Sequence, residues 1–284
     1  MEDGFKIGII GGAGKMGNLF KNLFQKKGYE VLISDINQGV SKEELFKKCK
    51  LIIISVPMEV FENVVFEIAK FVEPHHWIMD VCSLKYEPAK YMKKYLLRGE
   101  LLATHPLFGP FEKSLKGKII AYYPLRGKEF VKWFVKTMEE EGLKLVEIPP
   151  KRHDEIMGLV QVLNHFWLIL LAKVIKDSGF KIEEVFSLAT PSFLRQLNVL
   201  RRLAWQDTSL YAKIQLENPL GKKFRKLLCR NCQSLSKALN SDKPEERERA
   251  FREFFLNAKE IAQRLHSLFT LDPDFDIKKE SNTE

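Results

Sequence analysis

The sequence predicts an α/β chain: an N-terminal Rossmann-type domain built on a parallel sheet, followed by an all-helical domain. Three observations carry that prediction. A glycine-rich turn, Gly12-x-Gly14-x-x-Gly17, joins an apolar run at 5–10 to an amphipathic helical pattern that reaches residue 27. Continuous apolar runs then alternate with helical patterns up to residue 148, the signature of a parallel sheet covered on both faces. After Pro149-Pro150 the pattern is helical almost to the end, with no convincing strand. The boundary is therefore expected near residue 150, giving domains at 1–150 and 151–284.

The first strand, 5–10, is apolar and runs straight into the glycines. Gly12 is expected to permit the tight turn, Gly14 to let the backbone approach a pyrophosphate, and Gly17 to bring the helix close to the strand. The helix N-terminal amides then face the phosphates, with Lys15 and Met16 in the same turn. A second strand, 30–34, ends at Asp35. An acid there accepts hydrogen bonds from the adenosine ribose hydroxyls and repels a 2′-phosphate, so NAD rather than NADP is predicted. The third strand, 51–56, ends in Ser55-Val56-Pro57, which places Val56 and Pro57 at the cofactor edge, and a helix at 59–71 follows. The fourth strand, 77–81, leads to Ser83 and Lys85. The fifth, 101–104, delivers His105. Strands at 119–123 and 144–148, separated by a helix at 128–141, complete the sheet.

Ligands of open parallel sheets bind at the carboxyl ends of the strands. His105, directly after a strand and held by Pro106, Gly109 and Pro110, is placed as a catalytic base, since imidazole takes up a proton near neutral pH. Ser83 ends the neighbouring strand and is expected to hydrogen-bond that imidazole. In the helical half His153, Met157, Gln161 and His165 are spaced by four and share one helix face. Arg195 and Arg202 lie in otherwise apolar helix-like runs, where an arginine suits bidentate binding of a carboxylate.

The composition is that of a globular protein, with 45% hydrophobic and 29% charged residues among 284. The net charge of +9 is scattered, with clusters at Arg201-Arg202 and 222–226, which favours an anionic substrate and no nucleic-acid partner. No signal peptide is expected before the first strand. Cys49, Cys82, Cys229 and Cys232 are expected to be reduced thiols of a cytoplasmic protein, with Cys229-x-x-Cys232 at ordinary helix positions and no metal site. The most apolar segment, 156–174, is interrupted by polar residues. Its longest pure stretch, 166–172, is too short to span a bilayer. No membrane is expected, and a helix this apolar belongs in a bundle or a homodimer interface. The tail, 272–284, is polar and expected to fray or to begin a linker.

Taken together, GGAGKMG at 11–17, DVCSLK at 80–85, HPLFGP at 105–110, His153-Asp154 with Gln161 and His165, and QDTSLY at 206–211 resemble prephenate dehydrogenase. That family pairs a Rossmann domain with an all-helical dimerisation domain. The resemblance implies NAD-dependent oxidative decarboxylation of prephenate to 4-hydroxyphenylpyruvate, a step of tyrosine biosynthesis. It implies His105 as the acceptor of the ring-hydroxyl proton and Ser83 as its orienting partner. It places His153, His165 and Gln161 near substrate and nicotinamide, and Arg195, or alternatively Arg202, on a substrate carboxylate. The competing readings are an arogenate dehydrogenase, another NAD-dependent β-hydroxyacid dehydrogenase, and a non-enzymatic NAD-sensing module.

Overall fold

In a computed structural model, residues 5–271 are described, so the expected frayed tail at 272–284 lies outside the described residues. The chain divides into two compact units, Met1–Lys222 and Lys223–Glu284.

The first unit is built on an eight-stranded sheet. The elements run β1 (Lys6–Ile10), α1 (Lys15–Lys26), β2 (Glu30–Asp35), β3 (Gln38–Gly39), α2 (Lys42–Lys48), β4 (Leu51–Ile54), α3 (Met58–Ile68), β5 (Trp77–Asp80), α4 (Tyr86–Tyr95), β6 (Glu100–Pro106), β7 (Ile119–Arg126), α5 (Glu129–Glu140) and β8 (Lys144–Glu147). The strand order is β3-β2-β1-β4-β5-β6-β7-β8. Strands β2, β1, β4, β5 and β6 are parallel. They read as unbroken apolar runs because both faces are covered. Ile7, Ile9, Leu51 and Ile53 pack with Phe20 and Phe24 of α1 and Phe130 and Phe134 of α5. Ile10, Ile52 and Ile54 point the other way, onto Phe46 of α2, Phe61 of α3 and Met92 of α4. Each such side chain contributes about 1.5–3 kcal/mol by leaving water.

The expected all-parallel sheet is corrected at one edge. Strand β7 runs antiparallel to β6, and β8 runs parallel to β7. A parallel return needs a crossover, usually helical, and residues 107–118 form none, so the chain doubles straight back. The added pairing extends β6 beyond the predicted 101–104. His105 sits inside the strand, opposite Ala121, rather than after it.

The helices that follow in this unit are α6 (Pro150–Met157), α7 (Asn164–Asp177), α8 (Ile182–Ser187), α9 (Pro191–Leu200) and α10 (Thr208–Glu217). A π-helical turn, Gly158–Leu163, joins α6 to α7, and a 3₁₀ turn, Arg201–Trp205, follows α9. The sheet does end just before residue 150, as the sequence suggests, but α6 remains bound to it: Asp154 accepts hydrogen bonds from the Lys85 and Tyr86 amides at the start of α4. The second unit holds α12 (Pro244–Leu271) and nearly all of α11 (Gly221–Leu239).

Pro150–Asp177 forms 28 consecutive helical residues, long and apolar enough to cross a membrane by length and composition. The expectation that the segment is too short is corrected on that criterion, because Gln161, Asn164 and His165 do not interrupt the helix. These polar residues line a cleft of the first unit.

Candidate active site

The glycine turn after β1 forms as the pattern demands, with one role reassigned. The left-handed residue is Gly11, at φ +79°, and a Cβ there would stand 2.3 Å from the Ser55 carbonyl oxygen. Gly12, expected to make the turn, instead makes room for Ile33 of β2. Gly17 carries the close approach: its Cβ would lie 2.3 Å from the Gly11 oxygen. Helix α1 starts at Gly14 with no capping side chain and no acid in its first turn, so its amides and positive dipole end are open to an anion. The space over Gly14 is open as well, its Cβ position meeting only the Gly11 oxygen at 3.2 Å. Asp35, at the end of β2, accepts from Ala13 N at 2.8 Å and Ile36 N at 2.7 Å, which ties β2 to the turn. Val56 and Pro57 follow β4 on the same carboxyl edge. Uncapped amides, bare glycine backbone and a strand-end acid fit a dinucleotide. Met16 lines the neighbouring cleft and so connects the two sites.

That cleft measures about 290 Å³ and is lined by Ser83, His105, Gln161, His165, Arg202 and Tyr211 together with further polar and apolar neighbours. His105 is 3% exposed. Its Nδ1 lies 2.9 Å from His153 Nε2, and His153 Nδ1 lies 2.7 Å from Asp154 Oδ1. The carboxylate only accepts, which fixes both tautomers. His153 donates from Nδ1 and accepts at Nε2; His105 donates from Nδ1 and keeps a lone pair on Nε2. That lone pair faces the cleft beside the Gln161 amide, 3.4 Å away. Burial, then His153, then the Lys85 ammonium hold His105 well below the ordinary imidazole range, so the ring is neutral. Lys85 is itself buried against Asp80 and donates to the Thr104 carbonyl at 2.5 Å.

The cleft contains two buried polar atoms without partners, Gln161 Oε1 and His165 Nδ1. Such atoms call for a ligand, since an unmet buried group costs about 1–3 kcal/mol. His165 stacks on Tyr211 with ring centroids 4.0 Å apart, and burial with the nearby Arg202 charge pushes its pKa down to about 4. Arg202 reaches the cleft from the 3₁₀ turn and lies 3.9 Å from Glu112. The π turn aims this wall. In an α-helix a spacing of four drifts by about 40° per step, and a π turn winds more slowly and takes up the drift. Met157, Gln161 and His165 therefore all line the cleft. Gln215 of α10 clamps the turn by donating to the Val162 carbonyl at 2.7 Å.

Three predicted roles change. Ser83 lines the cleft, but the hydrogen bonds of His105 go to His153 and Gln161, not to Ser83. His153, 1% exposed, lies behind His105 instead of lining the cleft. Arg195 is exposed on α9 and does not line the cleft; α9 ends at Leu200, and the tighter turn after it brings Arg202 in instead. Asp154 and the Lys85–Asp80 pair were not predicted as functional groups. The adjacency of Asp154 to His153 was the available signal.

Residues 23–147 match the family model described as prephenate dehydrogenase, nucleotide-binding domain, and residues 149–255 match prephenate dehydrogenase, dimerization domain. A protein of Methanocaldococcus jannaschii described as "Probable arogenate/prephenate dehydrogenase" is 33% identical over 83% of this chain and 57% of its own length. The "T-protein" of Enterobacter agglomerans is 30% identical over 72% of this chain and 55% of its own length. The chain thus spans little more than half the length of these curated relatives. The crystal structure of prephenate dehydrogenase from A. aeolicus in complex with hydroxyphenyl propionate and NAD+ superposes with a TM-score of 0.67 at 19% identity, covering 90% of this chain and 98% of that one.

Proposed function

The chain belongs to the prephenate dehydrogenase family, and from that membership we propose that it oxidatively decarboxylates prephenate to 4-hydroxyphenylpyruvate with NAD. The observation that carries the reading is the His105 Nε2 lone pair, turned into a cleft and backed by a hydrogen-bonded His153–Asp154 pair. His105 takes the proton of the substrate's ring hydroxyl. Arg202 holds a substrate carboxylate, Gln161 and His165 line the same cleft, and Met157, Leu168 and Ile214 exclude water. NAD, held by the α1 amides, Gly14 and Asp35, supplies the hydride acceptor. Loss of the ring carboxylate as carbon dioxide then leaves an aromatic ring, whose oxygen takes the proton back as the product's hydroxyl. Arogenate, the aminated substrate, is the second reading, favoured by the double name of the 33%-identical relative. Turnover of prephenate and arogenate, each with NAD and with NADP, tests both; no turnover of either substrate overturns the proposal.

Asp35 supports NAD. The unmodified protein is expected to use NAD more efficiently than NADP, and Asp35→Ala to raise the NAD KM about tenfold or more, the worth of charged hydrogen bonds of about 1.5–3 kcal/mol. Equal or better efficiency of the unmodified protein with NADP would refute this.

A homodimer is the third part of the proposal. Trp167, Ile169, Leu170 and Val174 leave an apolar face of α7 exposed in the single chain, the composition of obligate interfaces. Light scattering at micromolar concentration is expected to give twice the chain mass, and a monomer would count against it. The cytoplasm, where NAD-linked biosynthesis proceeds, is the proposed compartment.

A further inference from the structure

The pairing of β5 with β6 stops at Met79–Leu102, two residues short of Thr104. Beyond it a pair of side chains takes the place of the strand that has ended. Asp80 Oδ1 accepts from Thr104 N at 3.2 Å, and Lys85 Nζ donates to the Thr104 carbonyl at 2.5 Å. The N–H and C=O of the residue before His105 are thus both met by side chains. The Thr104 hydroxyl closes the unit by donating to the Asp80 carbonyl. Lys85 reaches the other support of His105 as well. Its own amide donates to Asp154 Oδ1 at 2.8 Å, the oxygen that His153 Nδ1 meets at 2.7 Å. One residue therefore holds both the strand that carries His105 and the carboxylate behind His153.

Lys85 is 3% exposed and Asp80 is fully buried. Lysine is rarely buried this deeply, and an apolar pair of the same volume would stabilise a fold as well or better. Stability alone does not call for an ammonium here. We propose that Lys85 is a positioning residue of the reaction: with Asp80 it replaces the missing strand beside β6, fixes the spacing of His105 and His153, and sets a buried positive charge against any cation on His105. The proposal rests on His105 being the base of the dehydrogenation proposed above. That base must return its proton to the ring oxygen, and an opposed cation favours the return.

The other groups around the ring leave this task to Lys85. From α6, His153 meets His105 Nδ1, and Asp154 behind it is engaged by His153 and by the amides of Lys85 and Tyr86. Across the cleft, burial pushes His165 of α7 down to about 4 and so keeps it neutral. Tyr211 of α10 stacks on His165, and burial keeps its hydroxyl protonated, as it does the Cys82 thiol. The Arg202 side chain is 56% exposed, lies 3.9 Å from Glu112 and is screened by water. On β7 the residue opposite His105 is Ala121, which carries no charge. The Lys85 ammonium is the buried cation of the set. His105 accordingly stays well below the ordinary imidazole range, with Lys85 acting after burial and His153.

The test reads the ring directly, by nitrogen NMR of the histidine-labelled protein across pH, with the His105 signals assigned by their loss in His105→Asn. The unmodified ring is expected to stay neutral down to about pH 5, with its proton on Nδ1. Lys85→Met keeps the volume and removes the charge, and it is expected to raise the His105 midpoint by at least about one pH unit. Asp80, left charged, acts in the same direction. Kinetics give a second reading. Lys85→Met is expected to lose more kcat at about pH 5 than at about pH 8, with the KM of substrate and of NAD unmoved. A midpoint that does not rise in the folded variant overturns the proposal. Should Lys85→Met not fold, the double variant Asp80→Asn/Lys85→Met leaves no unpaired charge and is expected to shift the midpoint the same way, by less. If neither folds, the pair serves the fold and not the base, and the proposal falls. Turnover tells the two readings apart. A shifted midpoint in a protein that turns over neither prephenate nor arogenate refutes the dehydrogenase, and the role in its reaction with it. An unshifted midpoint in an active enzyme refutes the role of Lys85 alone.

Discussion

His105→Asn is expected to lower kcat about 10²–10⁴-fold, the range for a positioned acid–base group, and to leave NAD affinity nearly unchanged. Asparagine preserves a polar side chain in the slot but offers no basic lone pair to the cleft. The groups that fit the cofactor belong to the turn after β1, to α1 and to the ends of β2 and β4, and none hydrogen-bonds His105. Saturating kcat and an NAD binding titration separate the two effects. Turnover within a few-fold of the unmodified protein would move the base elsewhere. The pH profile adds a sign. Only the neutral ring accepts the proton, and burial holds His105 well below its usual range. The acid limb is therefore expected well under the ordinary imidazole value of 6.5. A limb at or above that value would contradict the buried placement.

Arg202→Gln is expected to raise the substrate KM with little change in NAD affinity. A charge-assisted contact is worth about 1.5–3 kcal/mol, or roughly 10- to 150-fold. The arginine side chain is 56% exposed, and solvent screening puts the effect nearer the lower end, about tenfold. Arg195→Gln is the matched control, since that residue is exposed and does not line the cleft, and it is expected to leave KM alone. If Arg195→Gln raises KM and Arg202→Gln does not, the carboxylate is held elsewhere than in this cleft.

The elements that the sequence made legible are those set by local pattern. Apolar runs covered on two faces identify β1, β2, β4 and β5, and the spacing of Gly14 and Gly17 places the start of α1. Asp35 is legible because it closes a strand. Features set by distant pairing were hidden. The reversal at β7 depends on which strand a non-helical connection returns to, and it drew His105 into the strand. The roles of Gly11 and Gly12 depend on what lies across from each, the Ser55 carbonyl and Ile33. In the helical half, the π turn and the 3₁₀ turn alter the winding after residues 157 and 200. Counting by 3.6 therefore recovers the shared face of Gln161 and His165 but misassigns Arg195. His153 was found as a polar residue on an apolar helix. That it backs another histidine follows only from the docking of α6 on α4.

Holding two imidazoles neutral sets how the fold tolerates acid. In the unfolded chain His105 and His165 titrate near 6.5. In the folded chain His165 is pushed down to about 4 and His105 well below its ordinary value. Above about pH 6.5 neither state binds a proton at these rings, and the folded state is undisturbed. As the pH falls below that, the unfolded chain takes up protons that the native cleft refuses. Stability then declines by up to about 1.4 kcal/mol per pH unit for each ring. Urea melts at about pH 7 and about pH 5 are expected to show a lower midpoint in acid, and His165→Asn is expected to narrow that gap. The same desolvation that keeps a base ready in the cleft makes mild acid a denaturant of this protein.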